Sequence, residues 1–72
     1  MNKLFVQVFR GGAWCNVTSV AIDPAYGRDA DRQYARAYRL AMQQLAGWRG
    51  YFSEPLRIAE EMARGGYKEA RP

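Results

Sequence analysis

Histidine is absent from this chain, cysteine occurs once and lysine only twice. Without histidine there is no Ser–His or Cys–His pair and no imidazole to act as a general base. The usual transition-metal ligand sets are excluded with it. One cysteine cannot close an internal disulfide, and its solitary use fits a reducing compartment. No segment approaches the roughly 20 apolar residues that span a bilayer. The opening MNKLFVQVFRGG does not read as a secretion signal, because Gln7 and Arg10 interrupt its apolar run and no small-residue cleavage site follows. A cytoplasmic location with no membrane partner is therefore expected.

Other catalytic signatures are missing too. Gly11-Gly12 has neither the Lys nor the Ser/Thr of a phosphate loop, and no helix follows it directly. Glu60 and Glu61 are adjacent, which points them apart on a helix and makes them a poor acid–base pair. Cys15 falls within an apolar strand pattern and reads as an inert packing residue. These gaps predict a binding protein without catalytic residues, metal or cofactor.

What the chain does contain is 49% apolar residues in 72 positions, enough for one small folded domain spanning 1–72. A domain of that size buries only about 60% of its unfolded surface, so a thin core is expected, with self-association as one remedy. The formal charge is +4, and nine of the eleven basic residues are Arg. Arginine makes planar, bidentate and stacking contacts that lysine cannot. A GC-rich coding sequence would produce the same bias, since Ala is abundant as well.

The strongest periodicity lies in Asp29–Trp48, DADRQYARAYRLAMQQLAGW. At about 100° per residue, Tyr34, Tyr38, Ala41, Leu45 and Trp48 share one stripe, with Ala30 and Ala37 beside it. Arg28, Arg32, Arg36, Arg39 and Gln43 form a second stripe roughly 160° away. Asp29 is the expected N-cap, following the turn signal Asp23-Pro24-Ala25-Tyr26-Gly27.

Upstream, Leu4–Phe9 and Ala13–Ile22 read as strands joined by a Gly11-Gly12 hairpin turn. A two-residue turn sets Phe9 opposite Trp14, Val8 opposite Cys15, Val6 opposite Val17 and Phe5 opposite Thr18. One face then carries Leu4, Val6, Val8, Cys15, Val17 and Ala21. The other carries Lys3, Phe5, Gln7, Phe9, Trp14, Asn16 and Thr18. A lone hairpin is marginal, so further strands or a covering layer are required. Downstream, Ser53 is read as the cap of a second helix stopped by Gly65-Gly66, with Ile58, Ala59, Met62 and Ala63 as its apolar stripe. Residues 68–72 are read as a frayed tail. The expected fold is α+β in the order ββαα: an N-terminal hairpin packed on a long amphipathic helix and a shorter C-terminal one.

Candidate binding residues follow from these faces. Arg28, Arg32, Arg36 and Arg39, with Gln43 and Leu40 beside them, suit recognition of an acidic protein surface or of phosphates. The same row also reads as an ordinary solvated face. Phe5, Phe9 and Trp14 suit stacking on bases or an interface anchor, or a core covered by another element. The reading that follows is a small protein acting stoichiometrically on a larger protein or ribonucleoprotein assembly through Arg and aromatic anchors. An inhibitor or accessory factor of nucleic-acid-handling or defence machinery fits that description. In general character it is similar to phage-encoded inhibitors of bacterial defence, such as anti-CRISPR proteins, although no motif marks a family. The alternatives are direct nucleic-acid binding and a homodimeric structural module.

Overall fold

In a computed structural model of the protein, residues 3–23 and 29–71 are described. Alternating apolar and polar residues on either side of Gly11-Gly12 form β1 (Lys3–Arg10) and β2 (Ala13–Ala21). The two glycines take φ of 61° and 81°, the paired left-handed geometry of a two-residue hairpin turn. Helix α1 covers Ala30–Trp48, and the Asp29 carboxylate caps it by accepting from the Asp31 N–H. At the far end the Arg49 N–H donates to the Leu45 carbonyl at 3.1 Å.

The second half of the chain departs from expectation. In place of a second helix there is another hairpin, β3 (Leu56–Glu61) and β4 (Tyr67–Glu69). Among the described residues the fold is thus one helix on one four-stranded antiparallel sheet of order β2-β1-β3-β4, which overturns the ββαα arrangement. Leu56 and Ile58 enter the helix-facing layer by simple alternation. Gly65 and Gly66, with φ of 88° and 78°, reverse the chain where a helix stop was read. Residues 68–71 are likewise not a loose tail: the Ala70 N–H donates to the Ile58 carbonyl at 2.8 Å, and Ala70 is buried.

The first hairpin pairs as expected beside its turn, with Arg10 opposite Ala13, Phe9 opposite Trp14 and Val8 opposite Cys15. Beyond Gln7 the register slips, so that Val6 faces Thr18 and Phe5 faces Ser19. An extra residue on β2, a bulge at Val17, exchanges the faces of everything after it. Thr18 and Val20 therefore join the helix side in place of Val17 and Ala21. The core lies between that side and α1: Leu4, Val6, Val20 and Ile58 from strands, Ala37, Ala41 and Leu45 from the helix, and Ala70.

Candidate functional site

Packing fixes what α1 presents outward. Ala37, Ala41 and Leu45 are buried, with Tyr34, Tyr38 and Trp48 packed partly against the core. The opposite side of the helix faces away from the sheet, carrying Arg32, Arg39 and Gln43 exposed to solvent. Arg36 is half-buried and already engaged within the chain. Leu40 is half-buried against the core, which makes it more a flank of the packing than the apolar centre of an exposed patch. Arg28 lies outside the described residues.

The charge along this face is one-sided. From Arg32 to Ser53 there are four arginines and no acid. Elsewhere the seven remaining bases are matched by the seven acids, so the whole net charge of +4 belongs to this segment. Counter-charges sit on the sheet side instead: Arg10 Nε lies 2.9 Å from Glu54 Oε2, and Lys68 Nζ lies 3.1 Å from Glu60 Oε1. At the end of the helix Tyr51 is 80% exposed, its ring 5.4 Å from that of Trp48. The two border an open cleft of about 600 Å³ with Gln44 and Gly47.

The face of the sheet away from the helix brings together all three predicted aromatics, the Gln7 and Asn16 expected beside them, and two residues that sequence reasoning did not place there, Arg57 and Tyr67. Phe9 and Trp14 meet edge to face at 5.2 Å, and Phe5 meets Tyr67 in the same way at 5.3 Å. The Arg57 guanidinium lies 4.2 Å above the Trp14 ring. Beneath them Gln7 is wholly buried, donating to Asn16 Oδ1 at 2.8 Å and accepting from Arg57 Nε at 2.9 Å. Asn16 in turn donates to the Tyr67 hydroxyl at 3.1 Å. Both its donor and acceptor satisfied, Gln7 avoids the cost of a stranded buried amide. The aromatic face is thus a second small packed layer, with Phe9 at 38% exposure its most open ring. Tyr67 and Arg57 were missed because β3 and β4 were; the glycine pair at 65–66, parallel to that at 11–12, was the available signal.

A third feature lies where α1 begins, at a cleft of about 560 Å³ lined by Asp31, Tyr34, Glu60, Lys68, Glu69 and Arg71. The Tyr34 hydroxyl donates to Glu60 Oε2 at 3.0 Å. Partial burial, then the hydrogen bond to Glu60 and its negative charge, push that phenol up to about 12. Among the described residues, no helix is long and apolar enough to cross a membrane. Compared with protein-family models, curated proteins and solved structures, the chain matches none of them.

Proposed function

We propose that this protein is a stoichiometric binding module that docks the outward face of α1 on an acidic surface of a larger protein or ribonucleoprotein assembly. An inhibitor or accessory subunit of nucleic-acid-handling or defence machinery is the role that fits. The observation that carries this reading is the segregation of charge: every unit of the net +4 belongs to the acid-free segment that begins on α1. Such a field steers an acidic partner toward one side of the molecule. Tyr51, exposed at the end of the row beside Trp48, supplies an aromatic anchor of the type that dominates protein interfaces.

Direct nucleic-acid binding is the weaker reading. The rings it would use for stacking are already engaged with one another, and Arg57 occupies a face of Trp14. The test is affinity capture from the native host with nuclease treatment, comparing the protein with an Arg32→Glu, Arg39→Glu double variant. The expected result is nuclease-resistant recovery of one partner at fixed stoichiometry, lost in the variant while its melting curve is unchanged. Undiminished recovery by the variant counts against the reading. So does capture of nucleic acid alone, whose log K would fall against log salt with a slope of about −3 to −4 if four arginines neutralise phosphates.

A further inference from the structure

The two edges of the sheet are built differently. On one side β4 is three residues long and carries Lys68 and Glu69, with Arg71 just beyond, so it is short and charged as protected edges are. On the other side β2 is nine residues long, AWCNVTSVA, without one charged residue or proline. Among the described residues no strand other than β1 pairs with it. The hairpin geometry says which of its backbone groups are unused. In a two-residue turn the flanking pair Arg10–Ala13 exchanges backbone hydrogen bonds, and so does Val8–Cys15 two residues on. Trp14 and Asn16 between them therefore turn their N–H and C=O outward, away from β1. The bulge at Val17 twists the strand and confines regular pairing to Ala13–Asn16.

We infer that this segment pairs antiparallel with the same segment of a second copy, about a two-fold axis perpendicular to the sheet, joining two four-stranded sheets into one of eight. A second copy is the fitting occupant because the edge is uncharged: it meets itself without repulsion, and the excess positive charge of each copy lies off it on the α1 side. A thin-cored domain also gains most from such pairing. One register uses the outward groups of both residues in both copies without crossing the bulge. It sets Trp14 opposite the partner's Asn16 and Cys15 opposite the partner's Cys15, at the close spacing of a non-hydrogen-bonded pair. Cys15 is exposed. The axis leaves both helices on one side of the joined sheet, so the two arginine rows face the same way.

Light scattering on the reduced protein tests this. At tens of micromolar the expected mass is twice that of the 8.2 kDa chain. Cys15→Lys places like charges across the axis at an exposed position and is expected to weaken association at least tenfold without loss of circular dichroism signal. Cys15→Glu does the same with the opposite sign and serves as the second variant, and an equimolar mixture of the two variants is expected to pair again through Lys opposite Glu. A short bis-maleimide is expected to link Cys15 of one copy to Cys15 of the other. A monomer mass up to millimolar concentration overturns the inference. A dimer indifferent to both substitutions, or one that the cross-linker cannot join, overturns it as well.

Discussion

Gln7 and Tyr34 lie on opposite faces of the sheet, and each keeps its polar atoms satisfied by a different device. Gln7 stands at the centre of a relay from Arg57 through Asn16 to Tyr67, so three strands other than its own are tied by one amide. Tyr34 ties the first turns of α1 to β3 through Glu60. Its phenol is held up to about 12, whereas an unfolded tyrosine titrates near 10. Below pH 10 both states keep the proton, and the native preference for the neutral phenol is fully present. As pH climbs from 10 through 12 the unfolded chain ionises first, and that contribution is lost. Urea unfolding of the protein and of Tyr34→Phe between about pH 9 and pH 12 should show the stability gap between them closing as pH rises. A gap of constant size across that window would mean that neither burial nor the bond to Glu60 holds the proton on this phenol.

At the scale of elements, the turns decide the architecture. Gly66 sits at φ 78°, and a Cβ there would lie 3.4 Å from Met62 Cε. An L-residue in that conformation costs about 1–2 kcal/mol. Gly47 lies inside α1 with ordinary helical backbone and open space around it, so alanine there should gain about 0.5–1 kcal/mol. Thermal melts should therefore move in opposite directions: Gly66→Ala down by roughly 4–8 °C per kcal/mol, Gly47→Ala up. Matching shifts would show that the second hairpin does not depend on its turn. That hairpin is also where the sequence misleads. Alternation of Leu56 and Ile58 competes with the helical spacing of Ile58, Ala59, Met62 and Ala63, and Ser53-Glu54-Pro55 imitates a helix start. Six residues are too few for periodicity to arbitrate. What settles them is non-local: β1 has a second edge to fill, and Val6 takes Ile58 as its neighbour there. By contrast α1 is legible throughout, because nineteen residues carry both a stripe of period 3.6 and a capping Asp29. The outward position of Arg32, Arg39 and Gln43 was legible with it, whereas Arg36 is half-buried and engaged within the chain. The composition of the aromatic face was legible only for the first hairpin, since Tyr67 and Arg57 reach it through pairings that no local pattern encodes.

For the molecule as a whole, one helix on one sheet leaves few large side chains between the layers. Of the helix residues buried there, two are alanines and only Leu45 is large. The small residues let α1 approach the sheet closely, and Leu45 fills the space toward its C-terminal end. A 72-residue domain has a total stability of roughly 4–10 kcal/mol. Leu45→Ala is expected to remove about 2–4 kcal/mol of it, a large share, through lost burial and the cavity left behind. Urea unfolding followed by circular dichroism should show a midpoint much reduced, and a shift of less than about 1 kcal/mol would mean that Leu45 is not a main contact between the layers. The same substitution separates scaffold from surface. Because the row formed by Arg32 and Arg39 is displayed by a helix that Leu45 seats, partner capture by Leu45→Ala should fall in proportion to the unfolded fraction and recover when the protein is cooled. Charge reversal at Arg32 and Arg39 should do the reverse, leaving the unfolding curve in place while abolishing capture at every temperature.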